Sequence, residues 1–238
     1  MLRIPAALTG LALLAAVPLT AQVGHAPTSS PYRDILNGKS LTVLYGNVGG
    51  DGGRLGIGPH DGPSYGVRLD FRLGTPLQFG LSVTKADLQR LIVSADDSVD
   101  NRVDGPVSQD VVMVEGDLQL NLTGKKSWHH LAPFLGFGVG WVHGSSISYA
   151  QDSSGYSFGS KLFVVPSAGL RVPIGRSLQV RLEARLLYWN LSYPVSYKLP
   201  PAAQPIIDPT RRYAVLPPNV NGEWVGSSEL RAGLGFSF

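Results

Sequence analysis

The chain has 238 residues, of which 16% are charged, with a net charge of +3, 29 glycines, 18 prolines and no cysteine. This composition disfavours long helices and suits many strands joined by turns in one domain. The small net charge, with no basic run of five residues, gives no indication of a nucleic-acid partner. Without cysteine there can be no disulfide and no cysteine-linked lipid anchor.

The N-terminal residues have the pattern of a secretory signal peptide. Arg3 precedes the apolar run IPAALTGLALLAAVPL, and small residues follow near Ala21. We predict a signal peptide over 1–21, with cleavage between residues 21 and 26, a short periplasmic segment over 22–38 and a barrel domain over 39–238. No later apolar run reaches the roughly 18 residues of a membrane-spanning helix, so any span would have to be made by strands.

Alternation of apolar and polar residues, which indicates β-strands with two unlike faces, recurs along the mature chain. It begins near 39–48 and is clearest in SYGVRLDFRLG and LQFGLSVT, which the turn GTP joins as a hairpin. We expect about eight strands, although DLQRLIVSAD after Lys85 leaves open whether there are eight or ten. The later alternating runs are 112–122, 135–141, 162–172, 178–188 and 229–238.

The connections between these runs alternate between short and long. Strands that run up and down around a closed barrel place odd and even connections at opposite rims, which gives this alternation. The sequence therefore predicts an all-β fold, a closed antiparallel up-and-down transmembrane β-barrel with short periplasmic turns and long extracellular loops. The short connections are 74–76, 124–130 and 173–177, and the long ones are 49–63, 94–108, 144–160 and 190–223.

The two faces of the strands differ in charge. The apolar face is almost free of charge, with Lys85 at the outer end of its strand as the exception, so it suits lipid better than the inside of a lipocalin-like soluble barrel. The other face carries six arginines and five carboxylates, which predicts an interior network of ion pairs that plugs the lumen. The members of this network are Arg68, Asp70, Arg72, Glu115, Asp117, Arg171, Arg181, Glu183, Arg185, Glu229 and Arg231.

Aromatic residues cluster where the strands should meet the lipid headgroups. Such rings prefer the two membrane interfaces. The outer set is Tyr45, Tyr65, Trp141 and Tyr188, and the inner set is Phe79, Trp128 and Phe238.

The chain resembles the eight-stranded outer-membrane β-barrel families typified by the membrane domain of OmpA and by OmpX. The resemblance rests on PFLGFGVGWV, VPSAGLRVPIGRSLQVRLEARLLYW and the terminal LGFSF, and it spans essentially the whole mature chain. It implies location in the outer membrane of a Gram-negative-type bacterium, in contact with outer-membrane lipid and lipopolysaccharide. In these families a terminal aromatic is the signal that the barrel-assembly machinery recognises, and Leu234, Phe236 and Phe238 match it.

Fold alone does not give function, because small barrels of this kind serve several roles. We predict a monomer with a plugged interior and an envelope-structural or surface-interaction role, without enzymatic activity, cofactor, metal or nucleic-acid partner. One alternative is a channel for small solutes or hydrophobic compounds. The other is a lipid A-modifying enzyme, because His143 and Ser145 in WVHGSSIS resemble the His-x-Ser arrangement of lipid A deacylases. The surrounding residues depart from that family, and no carboxylate is available to orient the histidine.

Three further segments carry motif-like features. GGDGGRLGIGPHDG lacks the lysine of a phosphate-binding loop and is a single copy as a calcium repeat, so we expect a flexible first extracellular loop. The pair His129-His130 has no further metal ligands near it. The proline-rich loop 190–223 contains Tyr193, Tyr197 and Tyr213 with Arg211-Arg212, which suits either contact with a surface or lipopolysaccharide phosphates, or a mobile flap.

Overall fold

The computed structural model describes residues 30–97, 99–199 and 214–238. The predicted signal peptide and the residues Arg211, Arg212 and Tyr213 lie outside this described part of the chain. No helix within the described ranges combines the length and the hydropathy needed to cross a membrane.

The described residues form ten strands, and eight of these close into one antiparallel barrel in the order β10-β2-β3-β4-β5-β7-β8-β9. The remaining two, β1 and β6, form a separate two-stranded sheet. The strands are β1 Tyr32–Asp34, β2 Lys39–Gly49, β3 Gly62–Arg72, β4 Leu77–Val93, β5 Val103–Asn121, β6 Lys126–Trp128, β7 Ala132–Gly144, β8 Ser160–Ile174, β9 Leu178–Ser192 and β10 Gly222–Ser237.

The barrel closes by pairing its first and last strands. β10 lies antiparallel to β2 from Ser237 opposite Ser40 to Ser228 opposite Gly49. The segment DLQRLIV continues β4 to Val93 and does not start a new strand, which fixes the number of barrel strands at eight. The predicted fold class is confirmed.

The two ends of the barrel differ in the length of their connections. Four long loops leave one end, and we name them L1 (50–61), L2 (94–102), L3 (145–159) and L4 (193–221), the last of which contains a 3₁₀ turn over Val195–Lys198. The other end has the connections 73–76, 122–131 and 175–177. Short turns are periplasmic in barrels of this kind, so L1 to L4 are extracellular.

A segment before the barrel lies against the periplasmic turns. β1 pairs with β6, from Tyr32 opposite Trp128 to Asp34 opposite Lys126. The side chain of Asn37 then donates hydrogen bonds of 2.8 Å to the carbonyl oxygens of Arg176 and Ser237. Residues 32–37 are therefore tied to two turns and to the last strand at the periplasmic end of the barrel.

The outer surface of the barrel is a band of exposed apolar side chains. Val43, Val114 and Leu234 are 63%, 53% and 61% exposed, and they point away from a lumen that buries their chain neighbours. So large an apolar surface on a closed sheet is suited to lipid rather than to water. Lys85 lies at the outer edge of this band, where it forms ion pairs with Asp87 (2.8 Å) and Asp110 (3.0 Å).

The interior changes in character along the barrel axis. At the level of the apolar band it holds buried charged side chains, and toward the extracellular end it holds a cluster of buried apolar and aromatic residues. The sequence predicts charged residues on the inward face, and it does not predict an apolar layer there. The apolar extracellular part of the lumen is therefore a difference from the expected interior.

Candidate functional site

The charged part of the lumen is built by ion pairs within strands, between adjacent strands and between strands that are not neighbours in the sheet. Arg68 on β3 binds Asp70 through Nε at 2.8 Å and reaches past β4 to Asp117 on β5, with Nη1 2.6 Å from Oδ2. Arg185 on β9 binds Glu229 at 2.7 Å and also contacts Glu115 on β5, three strands away around the barrel. Arg68 and Arg185 therefore reach across part of the lumen to a carboxylate on β5.

A second group of charges is centred on Glu183. One of its carboxylate oxygens lies 3.2 Å from Nε of Arg181 and 2.8 Å from Nη2 of Arg231. Nη1 of Arg181 also lies 4.0 Å from Asp70, which links this group to the first one. All of these side chains are at most 2% exposed, so each charge depends on its partners and not on water.

Two of the predicted network members differ from the rest. Arg171 is buried, but its guanidinium contacts the neutral side chains of Gln78 and Asn121 and no carboxylate. Arg72 is only partly buried, and it donates a 2.7 Å hydrogen bond to the carbonyl oxygen of Asn37 at the periplasmic mouth. Without Arg72 the buried set has five arginines and five carboxylates. The role of this network stays a prediction.

Glycine makes room for the large charged side chains. A Cβ atom at Gly80 would overlap the guanidinium of Arg68 and lie 2.8 Å from Oδ2 of Asp117. At Gly138 a Cβ would lie 2.5 Å from Oε1 of Glu115. The lumen of an eight-stranded barrel is only just wide enough for side chains, and here the space is used by the ion pairs.

The apolar part of the lumen is lined by the extracellular ends of the strands. Trp189 on β9 and Phe163 on β8 are almost fully buried, and Phe158 from L3 packs edge to face on Trp189 with the ring centroids 5.6 Å apart. L1 and L4 contribute Ile57 and Tyr197, both fully buried. Three of the four long loops thus fold inward over the barrel. The sequence signal for this was the runs VVMV, LFVV and LLYW, in which both strand faces are apolar.

An additional buried ion pair, which the sequence reading missed, attaches L3 to the barrel wall. Arg90 on β4 forms an ion pair with Asp152 in L3, and its Nε donates a 3.2 Å hydrogen bond to Oε1 of Gln109. The guanidinium carbon of Arg90 lies 5.0 Å from the ring centroid of Tyr156. Burial raises the pKa of Asp152, but hydrogen bonds from Ser154 and Arg90 outweigh that effect and hold this pKa below its usual range.

L1 is packed, not free, which corrects the expectation of a flexible loop. The backbone of His60 exchanges two 2.9 Å hydrogen bonds with Gln89 on β4, and Ile57 is fully buried. Glu223 at the start of β10 accepts hydrogen bonds from the backbone N–H of Arg54 (2.6 Å) and the hydroxyl of Tyr193 (2.5 Å), which joins L1 to L4.

The His143 and Ser145 pair that suggested an enzyme is not formed. Nδ1 of His143 lies 2.6 Å from the hydroxyl of Ser160 on the neighbouring strand β8. The backbone N–H of Ser145 instead donates to the carbonyl oxygen of Asp110, and the hydroxyl oxygen of Ser145 lies 3.3 Å from Nε2 of Gln109. Within the described ranges, no carboxylate hydrogen-bonds to the His143 ring, and no group of three or more His, Asp or Glu side chains could hold a metal.

The predicted outer aromatic residues lie on the outside of the barrel, whereas Trp128 of the inner set lies on β6, outside the barrel sheet. Tyr45 and Tyr65 face each other across β2 and β3 and are 66% and 41% exposed, and Trp224 on β10 adds a further ring near the extracellular end. At the periplasmic end Phe236 and Phe238 stack with centroids 6.3 Å apart, and both are about half exposed. The assembly signal formed by these residues and Leu234 stays a prediction.

Comparisons with known proteins identify the fold. No family model and no curated protein matches the sequence. Among solved structures, Neisserial surface protein A matches with a TM-score of 0.50 and 13% identity over 88% of this chain and 98% of its own. OprG from Pseudomonas aeruginosa matches with a TM-score of 0.49 and 12% identity, over 88% of this chain and 99% of its own. The N-terminal β-barrel domain of OprF from the same species matches with a TM-score of 0.43 and 11% identity, over 84% of this chain and 97% of its own.

The likeness to Neisserial surface protein A concerns the fold, and it agrees with what the chain shows by itself. Both the closed ring of eight antiparallel strands and the apolar outer band are those of an outer-membrane β-barrel. The predicted fold family and the outer-membrane location are confirmed.

Proposed function

We propose that this outer-membrane β-barrel is a closed, monomeric protein that serves the envelope through its structure or its extracellular surface, and neither conducts solutes nor catalyses a reaction. The observation that carries the proposal is the filling of the lumen along its length. Ion pairs that span the barrel occupy the level of the membrane, and an apolar cluster occupies the level of the loops.

The charged layer supports closure because its groups bind each other across the lumen. An ion that entered would have to separate pairs such as Arg68 with Asp117, at 2.6 Å, in surroundings that exclude water. Leaving one partner of such a pair buried alone costs about 3–5 kcal/mol. A path through this layer would therefore require several pairs to open together.

The extracellular layer supports a surface role because the described residues of L1, L3 and L4 are held by packing and hydrogen bonds. L1, L3 and L4 all place side chains in the apolar cluster, and Glu223 joins L1 to L4. A surface that is fixed before contact loses less conformational entropy on binding. The described parts of L1, L3 and L4 thus present a prearranged face to molecules outside the cell.

Conductance in planar bilayers tests the closed lumen. The refolded protein, checked for its barrel by heat-modifiable migration in gels, should show no steady conductance. A steady pore in the unmodified protein that disappears on Arg181→Ala or Glu183→Ala would overturn the proposal and favour the channel alternative.

A complementation experiment separates the envelope-structural role from the surface role. A strain that lacks the protein is complemented either with the full chain or with a chain whose L3 and L4 are shortened. If the role is structural, both chains restore resistance to detergent. If it is a surface interaction, the shortened chain restores resistance but not binding of the cells to other surfaces.

One observation supports the enzyme alternative, namely the 2.6 Å contact between His143 and Ser160 near the extracellular end of the outer band. A histidine at this distance could act as a general base toward a hydroxyl. Mass spectrometry of lipid A decides the matter. We expect the same acylation pattern with the unmodified chain, with His143→Ala and with Ser160→Ala, and a pattern that changes with either variant would establish an activity.

A further inference from the structure

A small pocket opens at the periplasmic mouth of the barrel, at the opposite end from the extracellular loops. Its volume is about 170 Å³, and its walls come from the segment before β2, from the end of β8, from the turn 175–177 and from the start of β9. Arg171 and Gln179 lie at its inner wall. The pocket is separate from the extracellular face on which the proposed function depends.

Arg171 brings a positive charge to this pocket, and its side-chain hydrogen bonds to described residues go only to neutral groups. It is 7% exposed, and its two terminal nitrogens donate to the neutral oxygens of Gln78 and Asn121. The other four buried arginines of the membrane-level network each contact a carboxylate. A buried guanidinium that has only neutral partners is costly unless a negative group comes to it.

Two donor groups at the pocket are also without acceptors. Nε of Arg171 and Nε2 of Gln179 are buried and make no hydrogen bond to the described residues, and Gln179 is itself only 7% exposed. Both groups can only donate, so the partner they lack is an acceptor. Two N–H donors without acceptors, one of them on a guanidinium, fit the two oxygens of a carboxylate.

The rest of the wall indicates what accompanies that carboxylate. Ile35, Leu36, Pro173 and Leu178 give the pocket apolar sides, while Arg176 and Asp34 lie at the exposed edge. Asp34 is exposed to solvent and forms no ion pair with Arg171. A ligand with a carboxylate and a short aliphatic group would meet both kinds of wall.

We propose that the periplasmic mouth is a binding site for an aliphatic carboxylate, in which Nε of Arg171 and Nε2 of Gln179 donate to the carboxylate oxygens. The carboxylate belongs either to a small free acid or to the C-terminal residue of a periplasmic peptide. The two sources share the same chemistry at Arg171, and the size of the attached group distinguishes them.

The test follows the Nε–H signal of Arg171 by NMR in the refolded full-length mature protein in lipid nanodiscs, assigned by its loss in Arg171→Lys. The probes are sodium butyrate, the tripeptide Ala-Ala-Val with a free C-terminus, the same tripeptide amidated, and sodium chloride at matched ionic strength. We expect a saturable shift with butyrate or with the free tripeptide, and none with the amide or chloride. A stronger effect of the free tripeptide assigns a peptide, and a stronger effect of butyrate assigns a free acid.

Variants separate a binding role from a structural one. Gln179→Leu should weaken binding roughly tenfold, the loss of one hydrogen bond to a charged group, and Arg54→Gln at the extracellular end should leave it unchanged. Arg171→Gln should abolish binding but still give a heat-modifiable barrel, because Arg171 hydrogen-bonds only to neutral side chains and its loss breaks no direct ion pair. The proposal is overturned if butyrate and the free tripeptide shift the signal no more than chloride does, or if Gln179→Leu binds them as the unmodified protein does.

Discussion

The membrane-level and extracellular parts of the lumen are lined by the same eight strands but are built in opposite ways. On β4 the outward residues Leu81 and Val83 face lipid while Ser82 points inward and is buried. Farther along the same strand Lys85 and Asp87 point outward, and Ala86 and Leu88 are buried inside. The strand keeps its period of two, but the apolar side changes from the outside to the inside.

The difference follows from the solvent around each part. In the bilayer the outward side chains must be apolar, so the inward ones can be polar only if they satisfy one another, as the ion pairs do. Beyond the bilayer the outward side chains meet water, and the hydrophobic effect again favours an apolar interior. One barrel thus contains a membrane-protein interior and, above it, the core of a water-soluble protein.

The largest effect is expected from removing one charge at membrane level. Glu183→Gln leaves Arg181 and Arg231 buried without their shared carboxylate, and we expect the free energy of unfolding to fall by about 3–5 kcal/mol. Urea unfolding of the refolded protein in micelles measures it. Asp87→Asn, which removes a carboxylate from a half-exposed pair with Lys85, is the matched control and should leave the unfolding midpoint nearly unchanged.

A triple variant tests whether buried, unpaired charge is what makes Glu183→Gln destabilising. Replacing Glu183 by Leu together with Arg181 and Arg231 by Met removes the whole group of charges, and we expect most of the lost stability to return. If the triple variant is as unstable as Glu183→Gln, desolvated charge is not what makes the single change costly.

The extracellular part should respond to loss of volume instead of loss of charge. Leu187→Ala removes a fully buried side chain from the apolar cluster, and we expect a loss of about 2–5 kcal/mol because a cavity remains. Leu186→Ala changes the adjacent residue, which points outward and is 43% exposed, and should cost clearly less in the same urea experiment. Equal losses at the two positions would mean that the cluster is not a packed core.

The space at membrane level is filled tightly enough for one methyl group to matter. Gly80→Ala places a Cβ against Arg68 and Asp117, and we expect a destabilisation of about 1–3 kcal/mol from overpacking. Gly74→Ala is the control, since nothing lies within 4 Å of a Cβ there. Thermal unfolding followed by the change in gel migration compares the two variants, and an unaffected Gly80→Ala would show that the lumen has spare room.

The smallest effect is expected at the extracellular end at acid pH. The pKa of Asp152 is lower in the folded protein than its ordinary value, so its contribution to holding L3 is complete above the ordinary aspartate pKa of about 3.9 and is lost as the pH falls below it. Hydrogen exchange, corrected for intrinsic rates, should show the amides of Ser154 and Tyr156 losing protection below that pH. In Asp152→Asn the protection should be low at every pH, while amides beside Glu183 should not change.

Much of the fold follows from local sequence patterns. The alternation in SYGVRLDFRLG and its counterparts defines strands with two faces, and the turn and loop lengths define which rim each connection occupies. These features depend on neighbouring residues and on the two-residue repeat of a strand. They were sufficient to predict about eight strands, with ten left open by DLQRLIVSAD, and also an outward apolar band and an inward set of charges.

Which interior side chains contact each other could not be predicted from these local patterns. Arg72 shares the inward face with Arg68, but the register of β3 carries it to the periplasmic mouth, where it binds Asn37. His143 faces Ser160 and not Ser145 because adjacent strands bring residues 17 positions apart into contact. Strand register sets these pairs, and alternation within a single strand carries no information about it.

The sequence by itself determined that the chain is a barrel, which face of it meets lipid and which residues supply charge to the lumen. Only the tertiary structure decided which charges bind each other, that Arg171 is left without a carboxylate, and that L1, L3 and L4 fold inward over an apolar core. The reason is physical: strand faces arise from local backbone geometry, whereas ion pairs and loop packing arise from contacts between residues far apart in the chain.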